Sequence, residues 1–202
     1  MIVHLACIVE GYGDVAAVPL LLRRMQKMIR PDLVLVVPRP IRQGRYKLVK
    51  PGELERAVEL AARTVPHPGA ILVLIDAEDD CPAQLAPTLL TRIRARRSDL
   101  PSGVVLAKCE FEAWILASLD KLSGQYGLNE GLSSPPDPER IQNAKGAISR
   151  SMPGSRTYSE PIDQPALAAL FDMELARGRS PSFDKCWREV ARLLNELAPP
   201  AT

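Results

Sequence analysis

In the stretch LIDAEDD, residues 74–80, an apolar run ends in four acids, Asp76, Glu78, Asp79 and Asp80. Carboxylates this close repel one another unless water, protonation or a cation relieves them. Two similar runs end the same way: Glu10 in CIVEGYGDVA, and Glu110 with Glu112 in KCEFEAW. As a set of carboxylates with no histidine among them, these are hard oxygen donors suited to Mg2+ or Mn2+, ions that keep several waters and engage phosphate oxygens. Gly11 and Gly13 let the turn after Glu10 fold tightly and offer backbone N–H groups to a phosphate, together with the positive end of the next helix. Asp14 is either that helix's N-cap or a further ligand.

The stretch RPIRQGRYKLVK supplies Arg39, Arg42, Arg45, Lys47 and Lys50 just after the second expected strand. Beside a metal site, such cations contact a phosphate backbone without reading sequence. Arg92, Arg94, Arg96 and Arg97 read instead as the solvent face and C-terminal end of a helix. Aromatic residues make up 4% of the chain and are scattered, which disfavours a stacking platform for single strands.

Bringing the three acidic groups together requires parallel strands whose carboxyl ends share one edge of a sheet. The pattern supports this: short apolar runs alternate with amphipathic segments, as in an α/β fold. Four strands are predicted, near Ile2 to Val9, Leu33 to Val37, Ala70 to Ile75 and Val104 to Lys108. Helices are predicted near Asp14 to Ile29, Pro51 to Thr64, Pro82 to Arg97 and Glu110 to Leu119. Residues 1–120 are thus read as a Rossmann-like core. Residues 121–202 are read as a loop-rich and helical extension packed on it, with a modest helix near Pro138 to Ser149. A final helix carries Phe183, Trp187, Val190, Ala191 and Leu194 on one face, and Pro199, Pro200 and Ala201 are expected to fray.

The 202 residues, 46% of them apolar, suffice for one sizeable core. A balance of 26 basic against 24 acidic side chains leaves partner choice to local charge. The four cysteines are far apart and two histidines cannot complete a zinc site with them, so reduced thiols and a cytoplasmic location are expected. The strand-like start and the lack of a membrane-length apolar stretch fit a soluble protein.

A strand-ending Glu10 followed by Asp76, Glu78 and Asp80 resembles the signature of the Toprim domain of topoisomerases, primases and OLD-type nucleases, with Glu78 in place of a central aspartate. The segments VEGYGD, LIDAEDD, CEFEAWILAS, DQPALAALFD and SPSF are similar to those of small bacterial Toprim-like proteins of unknown function. The resemblance implies a Toprim-like fold with a divalent cation held by Asp76, Glu78 and Asp80 and with Glu10 as ligand or general base, Glu10 and Asp76 being the catalytic pair. Glu110, at the next strand end, is read as support for a second cation. The resemblance also implies phosphodiester cleavage or transfer on nucleic acid, with a partner ATPase as a candidate companion in bacterial defence or DNA processing. Two other functions stay open: a noncatalytic metal- or protein-binding module, and a dinucleotide-binding protein built on the loose GxGxxA form of GYGDVA.

Overall fold

A computed structural model describes residues 1–199. In chain order, β1 (Ile2–Val9) leads to α1 (Tyr12–Ile29), β2 (Val34–Val36), β3 (Ile41–Arg42), α2 (Arg45–Leu48), α3 (Glu53–Ala62) and β4 (Gly69–Asp76). Then come α4 (Pro82–Arg96), β5 (Ser102–Ala107), α5 (Glu112–Leu116), α6 (Leu119–Leu122), a 3-10 turn at Pro138–Arg140 and α7 (Ala144–Arg150). The last helices are α8 (Glu160–Leu170), α9 (Met173–Arg179) and α10 (Pro181–Leu197).

The sheet is parallel and runs β2, β1, β4, β5, with β3 pairing the far end of β1. β1 and β4 occupy its centre, and side chains alternate between two packed faces. Val3, Leu5, Cys7 and Val9 of β1, with Leu72 and Leu74 of β4, pack toward α1 and the helices after β5. Ala6, Ile8, Ile71, Val73 and Ile75 pack toward α3 and α4. This is an α/β, Rossmann-like sheet flanked by helices, and a long C-terminal helix completes one layer.

Aromatic residues cement that layer: the ring centroids of Trp114 and Phe183 lie 5.2 Å apart, and those of Phe171 and Phe183 5.3 Å. Burying each such ring contributes roughly 1.5–3 kcal/mol. Helix α10 thereby ties the sheet to α5 and to the end of α8.

Several elements depart from the sequence reading. The predicted second strand is shorter, and Ile41 and Arg42 pair separately with Ile8 and Val9, making five strands where four were expected. Pro38 and Pro40 account for the break, since proline has no N–H for a ladder. The helix expected over Glu110 to Leu119 divides into α5 and α6 around Ala117 and Ser118. The modest helix near Pro138 to Ser149 resolves into the 3-10 turn and α7. Helices α8 and α9 fill residues 160–179, where no element was predicted. Pro161 and Pro165 mask α8 in the sequence, although Pro161 lies in its first turn, where a missing N–H costs nothing. Pro200 and Ala201, expected to fray, lie outside the described residues.

Candidate active site

Parallel pairing sets the geometry of the acids. Val9 lies opposite Leu74 and Asp76 opposite Ala107, so Glu10, Asp76 and Glu110 follow neighbouring strands at the same edge of the sheet. Glu10, Asp76, Glu78 and Glu110 line a cavity of about 190 Å³, together with Gly11, Asp14, Lys145, Glu160 and Gln164. The predicted convergence of strand ends is therefore present. Asp80 and Glu112 are not among the lining residues, but each joins the cluster through a basic residue.

Those basic residues are Lys145, which the sequence reading missed, and Arg45. Lys145 Nζ lies 3.3 Å from Glu110 Oε1, 3.2 Å from Glu112 Oε2 and 3.9 Å from Asp76 Oδ2. Burial acts to lower the lysine's proton affinity, yet the three carboxylates outweigh it and hold the ammonium above its ordinary pKa. Arg45, expected to face a phosphate backbone, turns toward the acids: it pairs with Glu78 at 3.3 Å and with Asp80, and its Nε donates to the Asp76 carbonyl.

The remaining carboxylates are poorly relieved. Burial, followed by the charge of Glu78, pushes the Glu10 carboxyl up, and Glu10 Oε2 is buried without a hydrogen-bond partner. Burial, then the charges of Asp14 and Glu112, holds Asp76 well above the usual carboxylate range. Asp76 Oδ1 accepts from the Phe111 amide at 2.8 Å and so caps the turn into α5. Glu112 is fully buried and accepts from the Tyr158 hydroxyl at 2.7 Å; burial raises both groups.

Backbone strain concentrates at the same edge. Glu78 and Cys109, with φ of 48° and 61°, both adopt the left-handed conformation that side chains disfavour, and they face each other across an antiparallel bridge. Each costs about 1–2 kcal/mol, held in place by the Glu78 N–H donating to the Cys109 carbonyl at 3.2 Å.

At the start of α1 the structure corrects two details. Asp14 is not the N-cap; it sits at the third helical position, and its Oδ2 accepts from the N–H of Gly11, the capping residue, at 2.8 Å. The Gly13 amide, expected to face a phosphate, donates to Glu160 Oε1 at 3.1 Å. Gln164 Nε2 donates to Asp14 Oδ1 at 2.7 Å. A Cβ at Gly13 would collide with the Gln164 side chain and come within 2.6 Å of the Glu160 carbonyl. The close approach that these glycines permit is made by α8.

In the basic stretch, Arg39, Arg42 and Lys47 are exposed. The Arg42 guanidinium stacks 3.9 Å from the centroid of the Tyr12 ring, and Lys50 lies 3.9 Å over the Tyr46 ring. Arg42 therefore stands at the N-terminus of α1, beside the crevice.

The donor set fits a hard divalent cation in three respects: its atoms are oxygens, acids outnumber bases, and two buried oxygens lining the pocket, Glu10 Oε2 and Gln164 Oε1, have no partner among the described residues. No group of three or more such acids is already drawn together for a metal among the described residues. Arg45 and Lys145 hold several of them in ion pairs instead.

Residues 9–191 match the family described as Domain of unknown function (DUF4276). The chain belongs to this family. The matched span takes in all the strand ends, Lys145 and α8. No curated protein and no solved structure matches the chain. No helix among the described residues is long and apolar enough to cross a membrane.

Proposed function

We propose that this crevice cleaves phosphodiester bonds in nucleic acid with the help of Mg2+ or Mn2+, as a Toprim-like nuclease. The main support is Glu10, whose buried, unpartnered Oε2 shares a pocket with acids from two other strand ends. Glu10, Asp76, Glu78, Asp80 and Glu110 would hold the cation. When bound, a divalent cation polarises phosphoryl oxygens and offsets the charge of these carboxylates. Glu10, with its raised proton affinity, suits the role of base toward an attacking water. Lys145, ion-paired to Glu110 and Glu112, carries a proton donor toward a leaving oxygen. Arg39, Arg42 and Lys47 would hold the nucleic-acid backbone, where cations add affinity without sequence selection.

Plasmid and oligonucleotide cleavage with magnesium, manganese or chelator tests this reading. Cleavage should require the cation and fall at least about a thousandfold in Glu10→Gln, which keeps size and removes charge, while circular dichroism is unchanged. Equal cleavage by wild type and Glu10→Gln would sink it.

A noncatalytic module is the second reading, favoured by the ion pairs that Arg45 and Lys145 already make within the cluster. Calorimetry separates the two: saturable manganese binding without cleavage of any nucleic acid supports the module.

A further inference from the structure

A groove of about 650 Å³, wider than the acidic crevice, runs along the unpaired edge of β5 between α4 and α10. β5 ends the sheet, so one side of its backbone has no strand partner. The Pro101 and Ala107 carbonyls accept from Ile71 and Ala77, so the odd-numbered residues of β5 address β4 and the even-numbered ones face outward. Side chains close the two ends of this outer edge. Arg192 Nη2 donates to the Ser102 carbonyl at 2.8 Å, and the Lys108 amide donates to Ser182 Oγ at 3.1 Å. Between them, at Val104 and Leu106, each only 3% exposed at the floor of the groove, no hydrogen bond among the described residues reaches the outward backbone groups.

The walls define what fits. Ala86, Pro87 and Leu90 of α4 make one side apolar, and the rim carries Arg94, Lys108, Lys185, Arg188 and Arg192 against only Glu139 and Glu189. Both of those acids are engaged: Glu139 accepts from Ser180 and Ser182, and Glu189 from Lys185 and Arg192. Arg188 and Arg192 also pair with Asp184 and Glu196 just outside the groove, leaving Arg94 and Lys108 as its uncompensated cations among the described residues. Arg94 and Lys108 have no ion-pair partner among the described residues. A free strand edge usually pairs with another strand unless it is blocked. A second copy of this chain would bring one basic rim against another, which charge repulsion opposes.

We propose that this groove is a docking site for an extended, acidic segment of a partner protein, which adds to the sheet as a strand beside β5. Hydrogen bonds to the Val104 and Leu106 backbone supply the pairing, alternate apolar side chains meet α4, and acidic side chains meet the rim. The site is separate from the metal-dependent reading and stands or falls without it.

Selection from a library of random peptides of about ten residues, enough to span the six-residue β5, tests the proposal on the full chain. Enriched peptides should be rich in Asp and Glu and free of proline at their centre. On binding, hydrogen exchange at the Val104 and Leu106 amides should slow, and N-methylation of alternate peptide amides should abolish binding in one register only. Ala86→Trp, which fills the groove from α4, should weaken binding at least about tenfold at unchanged melting temperature. Arg94→Glu with Arg188→Glu should shift preference to versions of the enriched peptides in which Lys replaces Asp and Glu. Failure to enrich acidic peptides, or equal binding to Ala86→Trp, overturns the proposal. So does an oligonucleotide that displaces the peptide and is itself blocked by Ala86→Trp, since the groove would then serve nucleic acid.

Discussion

Two sets of carboxylates in this protein meet opposite fates. On the surface between α3 and α4, Glu55 receives two guanidinium hydrogen bonds from Arg92, both at 2.8 Å, which hold its carboxyl down at about 2. At the strand ends, burial pushes Glu10, Asp14, Asp76 and Glu112 up, and two basic residues serve the whole cluster. The residue types are alike and the surroundings differ. One arrangement gains stability from its charge, whereas the other gives up stability to keep charge concentrated, as sites for cations and proton transfer do.

Removing Lys145 should break the comparison most sharply. Lys145→Met leaves Asp76, Glu110 and Glu112 without their shared ammonium and should cost about 2 kcal/mol in urea unfolding at neutral pH. That is below the full penalty for a buried pair because 34% of the lysine side chain is exposed. The loss should shrink in mild acid, where the carboxylates take up protons; a loss independent of pH would show that Lys145 acts through packing alone.

Asp76→Asn should move stability the other way. The asparagine Oδ1 can still accept from the Phe111 amide while the charge that burial and Asp14 oppose is gone. Without metal the variant should gain about 1 kcal/mol over wild type, and with metal it should lose cleavage. A destabilised Asp76→Asn would mean that the carboxylate is held by favourable contacts, and the contrast with Glu55 would fail.

Glu55→Gln should have the smallest effect, about 0.5 kcal/mol, because the pair is partly solvated. Its pH dependence is the sharper signature. Glu55 has a folded pKa depressed from 4.5 to about 2, so its contribution is present above pH 4.5 and is lost as pH falls toward about 2. Asp76 and Glu10 have folded pKa values raised above 3.8 and 4.5. Their contribution is present below those values and is lost as pH rises through the folded ones. Wild-type stability should therefore weaken on both limbs, and Glu55→Gln should flatten only the acidic limb in pH-resolved thermal unfolding.

Much of the scaffold was legible because local patterns dictate it. The apolar runs over Ile2–Val9 and Gly69–Asp76 read as buried parallel strands, and their parallel order brings Glu10, Asp76 and Glu110 to one edge. What the sequence concealed came from afar. A lysine in KGAIS carries no signal that its ammonium meets carboxylates from two strand ends, since those contacts arise only when α7 packs beside α5. Arg45 read as a contact to a phosphate backbone because nothing local shows that Glu78 and Asp80 curl back to it. Glu160 and Gln164 lay in a proline-bearing stretch, although Ser159 ahead of Pro161 was a usable helix-start signal.

The hydrogen bonds that α8 makes to the turn after β1 join residues 147 and 150 positions apart. During synthesis, Gly13 and Asp14 leave the ribosome long before Glu160 and Gln164 exist, at about 5–20 residues per second. For several seconds the nascent sheet edge carries its acids without the helix that closes over them. The acidic edge of this protein is thus closed late in synthesis, and a chain arrested before α8 would carry the strand ends of the crevice without its wall.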